Sequence, residues 1–207
     1  MRVGVLASGA GTNLQAILDR LHGRGEVEVV AVGSHKPGVP ALGRAEGAGI
    51  ETAVFPGDAY ADRPARDAAM ADWLESRGVE LVVLAGYMQL VTPYFLARFP
   101  GRVINIHPAL LPAFPGLRAI EQALDYGVRV TGVTVHFVDA GVDTGPIIAQ
   151  RAIELSGDED AAAVRAALAP VEHDLLCEVV LGIARGEVAP PRSRSNDYRP
   201  APMRGSA

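Results

Sequence analysis

Short apolar runs alternate with amphipathic segments along the first half of the chain. Runs of strand length cover 3–7, 27–32, 51–55, 81–85 and 102–106, and the fourth of them is the most hydrophobic. Between these runs, apolar residues recur with the spacing of a helix at 13–21, 41–47 and 63–75. Strands that alternate with helices over such short links predict an α/β fold with a doubly wound, mostly parallel sheet.

The second half of the chain has a different pattern. Residues 131–138 alternate in part between apolar and polar, and 146–155 form another strand-like run that can pair antiparallel with them. A helical pattern then extends over 158–185. Pro170 should kink this helix or start a second one, because proline removes an internal hydrogen bond. We therefore expect an antiparallel C-terminal strand addition and a long C-terminal helix.

Composition indicates one globular enzyme-like domain, expected over 1–188, with a poorly ordered tail over 189–207 that is rich in Pro, Arg and Ser. Of the 207 residues 49% are hydrophobic and 21% are charged, and the net charge of −5 argues against a general nucleic-acid binder. The single Cys177 leaves no disulfide within the chain. No stretch has the apolar length of a signal peptide or a membrane span, so a cytoplasmic location is expected.

The first candidate for chemistry is the segment Asn105-Ile106-His107-Pro108 at the end of the fifth strand. Side chains two residues apart in a strand point the same way, so Asn105 and His107 should share a face. Pro108 cannot continue a sheet ladder. Open α/β sheets hold their ligands at the carboxyl ends of their strands. An amide that hydrogen-bonds and an imidazole that exchanges protons near pH 7 form a plausible catalytic pair there.

A glycine-rich loop, Ser8-Gly9-Ala10-Gly11-Thr12-Asn13, joins the first strand to the first helix. Glycines allow a tight turn, and the free amides of a helix start favour an anion. The loop lacks the lysine of a P-loop and the third glycine of a dinucleotide fingerprint, so a phosphate monoester fits better than a pyrophosphate. From the loop alone, an ordinary turn capped by Thr12 or Asn13 is an equally good interpretation.

Asp143 lies in a glycine-flanked loop between the two late strands. Its carboxylate can reach a histidine on a neighbouring strand, orient the imidazole and stabilise its charged form. An Asx turn that closes a hairpin is the commoner explanation for such a segment taken alone. His136 is either a partner of Asp143 or a polar position on a half-buried strand.

The segment after the fourth strand contains Met88, Leu90 and Val91, which can cradle a flat heterocycle or pack in the core. Glu172 and His173 suit a solvated helix face. The histidines lack the spacing of metal ligands, and no serine-hydrolase elbow follows a strand.

Together these motifs resemble the folate-dependent formyltransferases, Rossmann-like enzymes, and most closely those that act on phosphoribosylglycinamide in purine synthesis. The matching motifs are Ser8-Gly9, Gly11-Thr12-Asn13, Leu84-Ala85-Gly86-Tyr87-Met88, Asn105-Ile106-His107-Pro108, Leu110-Leu111-Pro112, Pro115-Gly116, Thr134-Val135-His136-Phe137-Val138, Asp143 and Gly145-Pro146-Ile147. Their order and approximate spacing agree with that family up to the tail.

The resemblance implies transfer of a formyl group from 10-formyltetrahydrofolate, as co-substrate and without a metal, to the amine of 5'-phosphoribosylglycinamide. It implies small-molecule substrates, no nucleic-acid or membrane partner, and is compatible with a homodimer. The residues carried over as catalytic are Asn105, His107 and Asp143, with His136 beside them. Those for the ribonucleotide are Gly11, Thr12, Asn13 and Glu172. Those for the folate are Arg63, Met88, Gln89, Leu90, Val91, Val138, Ala140 and Gly141.

The chain departs from these relatives at a few positions. Gln89 stands where they carry an arginine, which puts one contact to the folate glutamate in doubt. Ala140 and Gly141 replace more polar residues, and Arg118 stands where relatives often carry a histidine.

Three other functions compete with this one. A formyltetrahydrofolate hydrolase has the same trio but usually an extra N-terminal domain, and the anion loop favours a phosphorylated acceptor. A methionyl-tRNA formyltransferase needs a further C-terminal domain and a basic surface, for which this chain is too short and too acidic. A binding regulator with a decayed site is disfavoured because all three catalytic side chains are present.

Overall fold

A seven-stranded sheet of order β3-β2-β1-β4-β5-β6-β7 organises the computed structural model, which describes residues 1–189. The strands are β1 (Arg2–Leu6), β2 (Glu28–Ser34), β3 (Glu51–Val54), β4 (Leu81–Leu84), β5 (Val103–His107), β6 (Val130–Phe137) and β7 (Ile147–Glu154). Strands β1 to β5 pair in parallel, while β6 runs antiparallel to both β5 and β7. The predicted doubly wound sheet with an antiparallel addition is confirmed.

Helices cover both faces of this sheet. They are α1 (Thr12–Arg20), α2 (Pro40–Gly47), α3 (Arg63–Ser76), α4 (Pro93–Arg98), α5 (Ala119–Tyr126) and α6 (Ala161–Ala184), and Gly57–Ala59 forms a 3-10 turn. Apolar residues of α1, α2 and α6 bury one sheet face, and those of α3 and α4 bury the other. Burial on both faces explains why the strand runs are almost continuously apolar instead of alternating.

The late elements differ in detail from the prediction. Helix α6 continues through Pro170 as one helix, so the alternative of a second helix starting there is wrong. Strand β5 extends to His107, which puts Asn105 in the middle of the strand. Helices α4 and α5 were not predicted. The predicted tail, from residue 190 onward, lies outside the described residues, and within residues 1–189 no helix is both long and apolar enough to cross a membrane.

Two loops meet where the direction of strand addition reverses, between β1 and β4. Ser8, after β1, donates its backbone N–H to the carbonyl of Gly86, after β4, at 3.1 Å. The N–H of Met88 in turn donates to the Ser8 hydroxyl at 2.9 Å. Open α/β sheets form their ligand crevice at such a switch point. The glycine loop and the loop after β4 therefore lie next to each other at the edge of the sheet where ligands of such folds bind.

Candidate active site

Asn105, His107 and Asp143 come together on one face of β5. The Nδ2 atom of Asn105 lies 3.3 Å from Asp143 Oδ1, and the Nδ1 atom of His107 lies 3.3 Å from Asp143 Oδ2. Because both strand residues contact the same carboxylate, they share a face, as the alternation of a strand requires. Ile104 precedes Asn105 in the strand and Ile106 lies between Asn105 and His107, and both isoleucines pack in the core on the other face.

The segment after β5 frames this trio with backbone atoms. The Leu111–Pro112 bond is cis, and Thr134 of β6 anchors the segment by accepting from the Leu111 N–H at 3.1 Å. Further along, the carbonyl of Phe114 lies 2.8 Å from His107 Nε2, and the N–H of Gly116 donates to Asp143 Oδ2 at 2.7 Å. The proline-rich segment therefore orients both the imidazole and the carboxylate.

The environment of Asp143 favours its charged form. Burial acts to raise the pKa of its carboxyl, but the hydrogen bond with His136, the bond from the Gly116 N–H and the charges of the two histidines together lower that pKa below its ordinary value. Its backbone takes the left-handed conformation, with φ of 53°, which is uncommon outside glycine. The role of Asp143 is not limited to closing a hairpin, because its carboxylate contacts Asn105, His107 and the Gly116 N–H.

His107 is buried, with both ring nitrogens facing acceptors. A carbonyl oxygen only accepts hydrogen bonds, so Nε2 must carry a proton toward Phe114. The other nitrogen, Nδ1, faces the Asp143 carboxylate, which also only accepts when it is ionised. The imidazolium form satisfies both neighbours at once, and it would place a positive charge beside Asn105.

His136 orients Asn105, from the adjacent strand. Its Nδ1 atom donates to the carbonyl of Phe137 at 2.8 Å, because a carbonyl oxygen only accepts, and its Nε2 atom lies 3.5 Å from Asp143 Oδ1. Asn105 Nδ2 lies 3.2 Å from that Nε2 atom. His136 is 2% exposed and pairs with Asn105 across β5 and β6. Of the two interpretations drawn from the sequence, the partner of the trio fits and the half-exposed polar position does not.

A cavity of about 150 Å³ opens beside the trio. Its polar end is formed by Asn105, His136 and Asp143, and its apolar wall by Leu90, Val91 and Val138. Arg63, Gln89, Ala140 and Gly141 also line it, so seven of the eight residues carried over for the folate lie here. The exception is Met88, whose side chain is 55% exposed and does not line the cavity.

The first backbone amides of α1, after the glycine loop, receive no capping side chain from residues 1–189. Gly11 is the N-cap residue in the left-handed conformation, with φ of 72° and no side-chain hydrogen bond to the helix. Capping by Thr12 or Asn13 is therefore wrong. A side chain at Gly11 would also bring its Cβ to 2.8 Å from Ala41. The unsatisfied N–H groups and the helix dipole make this turn suitable for an anion.

Glu172 reaches this loop from α6. Its Oε2 atom accepts a hydrogen bond from Asn13 Nδ2 at 3.0 Å, and burial raises the pKa of its carboxyl, an effect that the bond from Asn13 partly offsets. The other amide atom of Asn13, Oδ1, is buried without a hydrogen-bond partner among the described residues. An unpaired buried acceptor is costly, so this atom calls for a donor such as a ligand hydroxyl.

Comparison with known proteins decides the family. The family model described as formyl transferase matches residues 1–180, nearly all of the described chain. The chain belongs to the formyl transferase family.

Individual formyl transferases agree with this assignment. Phosphoribosylglycinamide formyltransferase of Bacillus subtilis (strain 168) is 40% identical over 193 residues, which cover 91% of this chain and 99% of that protein. The trifunctional purine biosynthetic protein adenosine-3 of Drosophila melanogaster is 43% identical over 175 residues, which cover 83% of this chain but only 13% of that protein. Glycinamide ribonucleotide transformylase 1 from Symbiobacterium toebii superposes with a TM-score of 0.89 at 48% identity, covering 94% of this chain and 92% of that one.

This formyl transferase also contains a buried ion pair that sequence reasoning missed. Arg66 and Asp67 are 3% and 0% exposed, and Arg66 donates to Asp67 Oδ1 through Nε at 2.9 Å and Nη2 at 2.6 Å. Adjacent residues on a helix do not normally face each other, so the sequence alone gave no reason to pair them.

Residues that could hold a metal are not grouped here. Within residues 1–189, histidine, cysteine, aspartate and glutamate side chains form no cluster of three or more with the geometry of a metal site. Arg118, where relatives often carry a histidine, is the exposed residue that precedes α5, with φ of 59°.

Proposed function

We propose that this chain is a phosphoribosylglycinamide formyltransferase, which transfers the formyl group of 10-formyltetrahydrofolate to the amine of the ribonucleotide and releases tetrahydrofolate. The observation that carries the proposal is the meeting of the Asn105, His107 and Asp143 side chains beside the cavity, which Asn105 and Asp143 line directly. The match to a Bacillus subtilis enzyme of that name over 99% of its length supports it.

The two substrates fit two different parts of the molecule. An apolar wall that ends in polar side chains suits a flat heterocycle with one reacting nitrogen, which is the shape of the formyl donor. The free amides at Gly11 suit a phosphate, and Glu172 together with Asn13 Oδ1 suits sugar hydroxyls, which both donate and accept hydrogen bonds. These assignments of Gly11, Thr12, Asn13 and Glu172 remain predictions.

We assign the oxyanion donor to Asn105. When the amine attacks the formyl carbon, its oxygen becomes negative and needs a hydrogen bond. The contacts of Asn105 Nδ2 to His136 and Asp143 are long, at 3.2 and 3.3 Å. A bond to a charged oxygen is shorter and about twice as strong as a neutral one, so an oxyanion can displace the contact with the His136 ring nitrogen.

We assign the stabilising positive charge to His107, and the movement of the proton to His107 and Asp143 together. The imidazolium of His107 stabilises the same oxyanion through its positive charge, and it acts as general acid when its Nε2–H leaves the Phe114 carbonyl. The proton of the attacking amine has to leave, and the leaving nitrogen of the folate has to gain one. Asp143, ionised and hydrogen-bonded by Gly116, holds His107 and assists this transfer.

Appearance of tetrahydrofolate from 10-formyltetrahydrofolate, with and without phosphoribosylglycinamide, tests the proposal. We expect turnover only when the ribonucleotide is present. Turnover at the same rate without it would identify a formyltetrahydrofolate hydrolase instead. A homodimer and a cytoplasmic location stay predictions.

A further inference from the structure

Helix α2 holds two consecutive carbonyl groups of the glycine loop. The N–H of Ala41 donates to the carbonyl of Gly9 at 3.2 Å, and Arg44 Nε donates to the carbonyl of Ala10 at 2.8 Å. Arg44 Nη1 also donates to Oε1 of Gln15, in α1, at 2.9 Å. Arg44 therefore ties the carbonyl that precedes the Gly11 turn to the helix that follows the turn.

The contact with Arg44 determines which way the peptide group between Ala10 and Gly11 faces. This peptide bond is trans, and in a planar trans peptide the C=O and the N–H point in opposite directions. Because the Ala10 carbonyl faces Arg44, the Gly11 N–H is turned away from α2. Within residues 1–189 this N–H has no hydrogen-bond acceptor. The turn thus keeps its carbonyl oxygens, which repel anions, against α2 and leaves a donor on the other side.

This orientation depends on Arg44. Gly11 has φ of 72°, and a residue without a side chain offers little resistance to rotation of the neighbouring peptide group. Among the described residues, the Ala10 carbonyl accepts a hydrogen bond from Arg44 and from no other donor. Without Arg44, rotation of that peptide group would place an oxygen where the Gly11 N–H now lies.

A separate observation at the same turn points to a ligand. Asn13 is 9% exposed, and its Oδ1 atom is buried with no hydrogen-bond partner in the described part of the chain. A buried acceptor of this kind is normally satisfied, here by a donor from a bound molecule. The turn therefore has a ligand-facing side, which is not the side held by α2.

We propose that Arg44 is a positioning residue of the phosphate site, which keeps the Gly11 N–H turned toward the phosphate of the formyl acceptor. The inference rests on the proposed function, since that function supplies the phosphorylated substrate. Arg44 acts through the backbone of the loop and itself bonds the Ala10 carbonyl. It therefore determines affinity for the phosphate and takes no part in formyl transfer.

Arg44→Met tests the role by kinetics, because methionine keeps much of the aliphatic stem and removes every donor. The KM for phosphoribosylglycinamide should rise about fivefold to twentyfold with kcat nearly unchanged, since a hydrogen bond from a charged group is lost. For ribosylglycinamide, which lacks the phosphate, kcat/KM should stay within about twofold of the wild-type value. Equal losses for the two acceptors would overturn the inference.

Titration with inorganic phosphate gives a readout that needs no turnover. In protein made with isotope-labelled glycine, the NMR signal of the Gly11 amide is the one that Gly11→Ala lacks. We expect this signal to shift as phosphate is added, with a midpoint about fivefold to twentyfold higher in Arg44→Met than in the wild-type protein. The same midpoint in both proteins, or no shift in the wild-type protein, would refute the role of Arg44.

Two further variants separate orientation of the peptide from charge. Arg44→Lys keeps the charge, but one ammonium group lacks the planar fork that bonds Ala10 and Gln15 together. Its phosphate midpoint should rise, though less than in Arg44→Met, and a wild-type midpoint would mean that charge suffices. Arg24→Met removes an exposed arginine outside the loop and should leave the midpoint unchanged. An equal rise in Arg24→Met would assign the effect to net charge and overturn the positioning role.

The outcomes also distinguish this inference from the proposed function. A wild-type protein that formylates the ribonucleotide, while Arg44→Met changes neither its KM nor the phosphate midpoint, refutes the role of Arg44 alone. A wild-type protein that forms no formylated ribonucleotide refutes the proposed function, and the phosphate titration then still decides whether Arg44 orients the Gly11 turn.

Discussion

The proposed ribonucleotide end and the proposed formyl-transfer end of the site are built in different ways. At the first, backbone N–H groups at Gly11 and the start of α1 form the surface that we assign to the phosphate, beside the hydrogen-bonded pair of Asn13 and Glu172. At the second, side chains from β5, β6 and the loop of Asp143 meet within 3.5 Å of one another. If the assignments are correct, ribonucleotide binding depends on the backbone shape of the Gly11 turn, whereas formyl transfer depends on individual side-chain atoms of the trio.

This difference predicts which kinetic constant each substitution changes. A group that acts only as charge develops affects kcat, whereas a group that binds the ground state affects KM. Substitutions at the trio should therefore change kcat and leave ribonucleotide binding intact. Substitutions at the glycine loop and at Glu172 should raise the KM for the ribonucleotide and leave kcat nearly unchanged.

The largest effect is expected for Asn105→Ala. Loss of one oxyanion donor typically lowers kcat by about two to three orders of magnitude. The ribonucleotide KM should change little, because Asn105 does not line the glycine loop. Steady-state kinetics with both substrates varied would measure this, and near wild-type turnover would contradict the role of Asn105.

Glu172→Gln should raise the ribonucleotide KM by about tenfold to a hundredfold with little change in kcat, because a hydrogen bond to a charged acceptor is lost. Burial raises the pKa of this carboxyl, so the folded protein binds its proton more readily than the unfolded chain does. The folded protein therefore loses stability as the pH rises from the ordinary pKa of a glutamate to the raised pKa of Glu172, because the carboxyl then becomes charged in its buried position.

The destabilising effect of the buried charge also predicts the stability of the Glu172→Gln variant. At pH 7 the variant should be at least as stable as the wild-type protein in thermal unfolding, while it binds ribonucleotide less well. Asp174→Asn, which breaks the exposed ion pair with Arg20, is the matched control and should alter stability by less than about 1 kcal/mol. A variant with a lower melting temperature and an unchanged KM would assign Glu172 to the fold.

Gly11→Ala should raise the ribonucleotide KM by about tenfold and lower stability. A non-glycine residue in the left-handed conformation costs about 1–2 kcal/mol, and the new Cβ would lie 2.8 Å from Ala41. Gly9→Ala in the same loop is the control, because a Cβ there meets no atom within 4 Å. Kinetics and thermal melts of the pair would measure the difference, and equal behaviour would rule out the shape of the Gly11 turn as the cause.

The smallest effect concerns stability against pH in Asp143→Asn. Burial opposes the charge of Asp143, yet the contacts with His136, Gly116 and His107 lower its pKa overall. Its stabilising contribution is therefore present above the ordinary value of about 4 and is lost as pH falls through the lowered value. Urea unfolding should show the wild-type protein about 1–3 kcal/mol more stable at pH 7, and less so below pH 4. An advantage that grows in acid would contradict the lowered pKa.

The sequence predicted the parts of the molecule that rest on periodicity. Strands β1 to β7 and the helices α1, α2, α3 and α6 follow apolar patterns that are long enough to recognise, and their bounds were nearly correct. Helices α4 and α5 were not predicted because they are too short to show a helical apolar pattern. A signal for the start of α4 was present, since Thr92 is a capping residue and Pro93 follows it at the first helical position.

The parts of the site that the sequence did not predict depend on tertiary packing. The left-handed backbone of Asp143 and the acceptor carbonyl of Phe114 are set by the loops around them. Burial of Arg66 and Asp67 follows from the way α3 packs under the loop after β4, which no local pattern encodes. The sequence predicted that Asn105, His107 and Asp143 could meet, whereas the contacts of Phe114, Arg66 and Asp67 depend on the fold.

The fate of the formyl carbon tests the central claim most directly. The protein would be given 10-formyltetrahydrofolate labelled in the formyl carbon together with phosphoribosylglycinamide, and the labelled products would be separated. We expect the label to enter the ribonucleotide as an N-formyl group, one for each tetrahydrofolate released. Label recovered as free formate, with the ribonucleotide unchanged, would contradict it.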